Sequence, residues 1–175
     1  MTVYMGVDPG KTGSVASLSE DGSRITISDF EIDPLKRIDS LSLQRIFDAV
    51  KSYHEDNDII CCLEKSQAMP GQGVVGMFSY GVTYGIILAT LNLCDINVVE
   101  ITPQKWKKEF DLNSNKKLGI IKTKEDSVNM AVQLFPSRKE FFMEPKKKEG
   151  HVLLHGRSDA ILIAEYCRRV YGKTI

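Results

Sequence analysis

Val3-Tyr4-Met5-Gly6-Val7 is an apolar run that halts at a carboxylate, Asp8, and then turns on Pro9-Gly10-Lys11-Thr12-Gly13. The run reads as a buried strand, and the glycines after it force a tight corner. A charge at the mouth of a buried strand is unfavourable unless a partner or a task offsets its desolvation. This stretch therefore places Asp8 at one end of a sheet, and it requires the remaining chain to supply both the sheet and the neighbours of Asp8.

The next segments supply that sheet. Gly13 to Ser19 reads as a second strand. Asp21-Gly22 is a hairpin signal, and Arg24 to Ile32 is a third strand, so the chain opens as an antiparallel meander. Asp39 or Ser40 can cap a helix running to about His54. Asp58 to Lys65 contains Ile59-Ile60-Cys61-Cys62-Leu63, apolar on both faces and hence a central strand, and it too ends at a carboxylate, Glu64. A polar, glycine-rich loop (66–73) leads to a helix from about Val75 to Leu93. Ile96 to Ile101 is a fifth strand, and Thr102-Pro103 opens a short helix. Residues 111–121 read as loop, and Thr123 with Asp126 resembles a capping box for a helix to Phe135. Ser137 to Val152 is polar and lysine-rich, a loop or arm. The last helix runs from about Gly156 to Tyr171, with Ala160, Ile163, Ala164 and Cys167 on one face. The order predicts an α/β layered fold around a five-stranded mixed sheet, as one domain over residues 1–175.

The apolar stretch from Val74 to Cys94 is interrupted by Ser79, Thr83, Asn92 and three glycines, which favours a buried helix over a membrane span. Its Gly81-x-x-x-Gly85 predicts close backbone approach to the sheet. Cys61, Cys62, Cys94 and Cys167 form no C-x-x-C pair and read as reduced thiols of an intracellular protein. The opening residues have no basic segment like that of a secretory leader.

The formal net charge is zero, yet it is unevenly spread. Residues 1–100 carry 7 Lys and Arg against 14 Asp and Glu, whereas residues 101–175 carry 16 against 9. Such a split suits a protein that gathers carboxylates in one region and grips a polyanion with another; a solvated, scattered surface is the alternative.

Three carboxylates stand out by position: Asp8 and Glu64 at strand ends, and Asp159 in the first turn of the last helix. If the first and fourth strands are parallel neighbours, Asp8 and Glu64 meet at one sheet end, where the last helix can add Asp159. Clustered carboxylates repel unless cations neutralise them, and hard divalent ions prefer oxygen ligands. Two such ions about 4 Å apart suit phosphodiester hydrolysis. Singly, Asp8 could accept hydrogen bonds from its own turn, Glu64 could pair with Lys65 or Lys11, and Asp159 could serve the helix N-terminus. Gly10-Lys11-Thr12 imitates the end of a phosphate-binding loop, but Met5 stands where that motif requires glycine.

Gly6-Val7-Asp8-Pro9-Gly10-x-x-Gly13, the Leu63-Glu64 strand end, Thr102-Pro103-Gln104-x-Trp106-Lys107 and Gly156-Arg157-x-Asp159-Ala160 together resemble RuvC-type Holliday junction resolvases, in particular a bacteriophage-like branch, within the RNase H-like (retroviral integrase) superfamily. The resemblance covers nearly the whole chain. It implies an RNase H-like sheet of three antiparallel strands followed by two parallel ones, flanked by helices. It also implies a homodimer that nicks four-way DNA junctions in pairs with Mg²⁺, for which Mn²⁺ can substitute, in the cytoplasm of a prokaryotic or phage-infected cell. Asp8, Glu64 and Asp159 match the family's metal-binding carboxylates. A fourth ligand is usual three residues before the last Asp, where this chain has Gly156; His155 is the nearest candidate, as ligand or as general acid/base.

For DNA, the candidates are Lys105, Lys107, Lys108, Lys116 and Lys117, with Lys122, Lys124 and Lys146–Lys148 as further cations. Lys11, Lys65, Gln67, Gln72, Phe78, Tyr80 and Arg157 flank the expected metal site. Trp106 reads as a core anchor rather than a base stacker, and the long helix as a dimer surface. Competing readings are a nuclease of the same fold acting on RNA or flap structures, a non-catalytic nucleic-acid-binding module, and a sugar-kinase-like ATPase, which would need two such domains.

Overall fold

The computed structural model describes residues 2–10, 12–55, 58–65, 71, 73–146 and 150–172, with the side chain of Lys116 left out. Its centre is a five-stranded sheet in the order β3-β2-β1-β4-β5. The strands are β1 (Val3–Val7), β2 (Ser14–Ser19), β3 (Ile25–Asp29), β4 (Ile59–Glu64) and β5 (Asn97–Ile101). β1, β2 and β3 are antiparallel neighbours, while β4 runs parallel to both β1 and β5. This is the mixed α/β sheet expected from the sequence, with strand ends differing by a few residues at most.

Side-chain alternation along β1 builds two cores. Val3, Met5 and Val7 face α1 (Ser40–Tyr53) and α2 (Val74–Leu93), together with Cys61 and Leu63 of β4. Tyr4 faces the opposite layer, with Cys62, α3 (Pro103–Glu109), α4 (Lys124–Leu134) and α5 (His155–Tyr171). Asp39 caps α1 through bonds from the N–H groups of Leu41 and Ser42 (both 2.9 Å), and Thr123 with Asp126 forms a reciprocal capping box on α4. All four cysteines are buried free thiols.

Helix α5 is pressed onto the sheet by missing side chains. A Cβ on Gly6 would lie 2.2 Å from the Ala160 carbonyl oxygen and 2.3 Å from the Ala164 nitrogen. One turn earlier, a Cβ on Gly156 would lie 1.9 Å from the Thr12 carbonyl oxygen. These contacts set the first turn of α5 against the end of β1. The helix is buried on more than one face, since Ile161 and Leu162 are enclosed as fully as Ala160 and Ile163.

Two expectations need correction. The stretch 137–152 is not wholly loop: a 3₁₀ turn (Pro136–Phe141) precedes a hairpin of β6 (Met143–Pro145) and β7 (His151–Leu153), anchored by fully buried Phe142. Helix α2 is not buried, and Gly81 and Gly85 do not approach the sheet. Only 22% of its apolar stretch is enclosed, and a Cβ on either glycine would meet nothing within 4 Å among the described residues. Its inner stripe is confined to Thr83, Ile87, Thr90 and Leu91.

Candidate active site

Parallel pairing of β1 and β4 matches Val7 with Leu63, so Asp8 and Glu64 follow side by side at the same sheet end. Asp8 caps its own turn, accepting from the Gly10 N–H at 3.2 Å, while its backbone N–H extends the hairpin to the Ser14 carbonyl (3.1 Å). Glu64 pairs in register with Ile101, the last residue of β5. That register brings α3, which starts two residues later, over Glu64. The indole Nε1–H of fully buried Trp106 donates to Glu64 Oε2 at 2.6 Å. Trp106 is thus the core anchor expected, and it also orients a carboxylate. Sequence reasoning missed this second role; the register of Glu64 against the start of α3 is the signal for it.

Asp159 and His155 come from the first turn of α5. Asp159 lies close enough to Asp8 and Glu64 for their charges to interact. Burial is the main reason all three carboxyls are pushed upward. Asp8 reaches about 7, with Asp159 and then Glu64 adding to the effect of burial. Glu64 and Asp159 are raised in direction by the same cause, opposed at Glu64 by the Trp106 bond and at Asp159 by Lys107, Ser127, His155 and Lys124. Lys107 acts on all three carboxylates, with its ammonium 5.1 Å from the centre of the Trp106 ring.

Asp159 Oδ1 and His155 Nδ1 are buried and have no hydrogen-bond partner among the described residues. Buried polar atoms are seldom left so. Three carboxylates and an imidazole form an oxygen-rich donor set of the kind that hard divalent cations accept, and two orphaned atoms within it fit that use. Among the described residues, however, no group of three or more His, Cys, Asp or Glu side chains is drawn in as a ready-made cage. Gly156 cannot be replaced by a ligand, because its Cβ would strike the Thr12 backbone. A cleft of about 470 Å³ opens beside His155, lined also by Phe30, Lys124, Leu153 and Leu154.

The remaining candidates fall into groups. Lys65, Lys105, Lys108 and Lys117 are exposed, and Lys107 is half-buried over Trp106. Phe78 is 75% exposed on α2, and Tyr80 is half-buried. Arg157 is engaged: it makes a bidentate ion pair with Asp29 at 2.6–3.0 Å, clamping α5 to β3. Lys11, Gln67 and Gln72 lie outside the described residues, as does the side chain of Lys116.

No protein-family model matches the chain, and no curated protein matches it in sequence. Solved structures do match in shape. Thermus thermophilus RuvC in complex with a Holliday junction substrate superposes with a TM-score of 0.59 at 15% identity, covering 99% of this chain and 96% of that one. A second structure of Thermus thermophilus RuvC gives 0.54 at 14% identity, covering 98% and 96%. The chain has the RuvC fold. At this identity the likeness extends to the RNase H-like sheet and its flanking helices, and the chemistry has to be argued from the site.

Proposed function

We propose that the protein is a structure-selective DNA endonuclease that resolves four-way or branched junctions by metal-dependent phosphodiester hydrolysis. The observation that carries this reading is the placement of half-buried Asp8, Glu64 and Asp159 at one sheet end of a RuvC fold, where Asp159 raises the proton affinity of both Asp8 and Glu64. Asp8, Glu64 and Asp159 would hold Mg²⁺ or Mn²⁺, two ions per site, with His155 as the nearest further donor. Bound divalent ions supply activation of water and stabilisation of the leaving oxygen. Trp106 fixes the Glu64 carboxylate, and Lys107 offsets excess negative charge while the site is open. His155, whose Nδ1 has no partner among the described residues, would hold or pass a proton. Lys65, Lys105, Lys108 and Lys117 meet phosphates, so binding should weaken steeply with salt.

A four-way junction has two-fold symmetry and needs two nicks, which a homodimer supplies. Helix α2 supports that assembly. Val74, Phe78, Gly81 and Gly85 fall along one face at helical spacing, opposite the buried stripe, and that face is apolar and uncovered. The motif pattern favours the bacteriophage-like branch and a cytoplasmic setting.

Cleavage of labelled four-way, Y-shaped and linear duplexes with Mg²⁺ tests the reading. The wild type should cut branched substrates selectively, and Asp8→Asn should be inactive. Metal-independent cutting, or full activity in Asp8→Asn, would sink the mechanism. Equal cutting of linear duplex would remove the junction specificity, and preferential cutting of RNA would transfer the site to another substrate.

A further inference from the structure

The turn between α3 and α4 holds aliphatic side chains out into solvent. Leu118 is 71% exposed, Ile120 43% and Ile121 75%. Scattered apolar residues are ordinary on a surface, but three within four positions on one tight turn form a patch. The backbone keeps them there. Asn115 and Ile120 exchange two hydrogen bonds (2.8 and 3.0 Å), and the Leu118 N–H donates to the Asn115 carbonyl at 3.1 Å. Gly119 takes the left-handed corner at φ 70°. Both stems are braced: Asn113 Nδ2 donates to the Gln104 carbonyl (3.0 Å), and the Lys122 N–H donates to Ser114 Oγ (2.8 Å). Leu112 is buried below.

The patch is set in positive charge. Residues 105–124 contain seven lysines against two carboxylates, Glu109 and Asp111. Lys117 is exposed within the turn itself, with Lys108 and Lys122 lining the cleft beneath Ile120. The turn also hangs from two points at the candidate active site. On the α3 side, Lys107 acts on all three carboxylates; on the α4 side, Lys124 lines the cleft beside His155. A polyanion gripped by these lysines would therefore meet the apolar tip on the segment that joins Lys107 to Lys124.

We infer that residues 115–121 form an apolar wedge, with Leu118 and Ile121 packing against an unstacked base step of branched DNA while the neighbouring lysines hold the flanking phosphates. Aliphatic side chains serve as wedges in DNA-bending proteins, at a cost of a few kcal/mol for each stacked step opened. At a branch point the stacking is already interrupted, so that cost falls and the wedge itself discriminates branched from linear DNA. The inference rests on the proposed DNA substrate and adds a specificity element outside the carboxylate site. Lysines around aliphatics also suit an anionic lipid surface, but both stems of the turn carry a lysine that acts on Asp159, which favours DNA.

The test places 2-aminopurine at the branch point of a four-way junction and uses Asp8→Asn protein to prevent cutting. Binding should raise the fluorescence, which reports unstacking. In the same background, Leu118→Ser with Ile121→Ser should abolish the rise and weaken junction binding by about tenfold, while linear-duplex binding stays within about twofold. Both side chains are solvent-exposed, so the fold is not at risk, and circular dichroism checks it. An unchanged rise in the double variant overturns the wedge, as does junction binding by the parent without any rise. So does a flat signal together with co-sedimentation on phosphatidylglycerol vesicles. Failure to bind branched DNA at all overturns the proposed function along with the wedge; normal junction cutting by the wild type, with no unstacking in Asp8→Asn, overturns the wedge alone.

Discussion

The Trp106–Glu64 hydrogen bond joins residues 42 positions apart, and it is the contact that turns a strand-end carboxylate into a fixed one. Partners of metal-binding side chains matter about 10- to 100-fold in activity. Trp106→Phe keeps the ring in the core and removes the donor, so single-turnover junction cleavage should fall by about that factor while the far-ultraviolet spectrum is retained. Wild-type cleavage would show that Glu64 needs no orienting bond. Asp8 allows a second prediction. Its folded value, about 7, lies above the ordinary 3.8, so the fold favours the neutral carboxyl. The resulting stabilisation is complete below about pH 4 and is lost as pH rises through 7. Metal-free Asp8→Asn should therefore melt several degrees above wild type at pH 8 and close to it at pH 4, and Mg²⁺ should raise the wild-type melting temperature at pH 8 but not that of the variant. Equal melting at pH 8 would contradict the burial of Asp8. The three carboxylates were visible in the sequence because each closes a strand or opens a helix. Trp106 as an orienting donor and Lys107 as a shared cation were not, because both depend on where α3 lands.

At the scale of elements, the sheet followed from local chemistry: Asp21-Gly22 enforces a hairpin, and the doubly apolar Ile59–Leu63 requires cover on both faces. What local chemistry could not show was which glycines mark close contact. Gly6 sits in a strand where a Cβ would penetrate the Ala160 carbonyl, whereas a Cβ on Gly81 or Gly85 would meet no described residue within 4 Å. The β6–β7 hairpin was hidden for a related reason: three-residue strands show no measurable alternation, and the buried Phe142 that anchors them is one apolar residue in a polar stretch. The contrast between glycines is testable. Gly6→Ala should push α5 from β1 and destabilise the fold by about 3 kcal/mol or more, in the range of severe overpacking. Urea titration measures it, with loss of soluble protein counting as the extreme form. A change below about 1 kcal/mol would mean that α5 can shift at little cost, and the geometry of Asp159 would then be loosely held.

For the whole molecule, α2 is the feature that one chain leaves unexplained. It is 20 residues long, and its most apolar stretch has a mean hydropathy of 1.6, yet its burial is confined to one stripe. Val74, Val75 and Phe78 are each at least 75% exposed. A second copy of the chain could cover this surface, and the two-fold symmetry of a junction gives such a pair a use. The glycines offer a clean perturbation, because Gly85→Lys adds a side chain where the monomer has open space and also raises helix propensity by about 0.5–1 kcal/mol. The variant should keep or slightly gain monomer stability while losing self-association. At micromolar concentration, sedimentation should find wild type as a dimer and the variant as a 19.6 kDa species. On a junction, the variant should make single nicks that are no longer paired. A wild type that sediments only at 19.6 kDa, with paired nicking intact, would show that α2 has another occupant and that the two cuts are coordinated on the DNA rather than through this face.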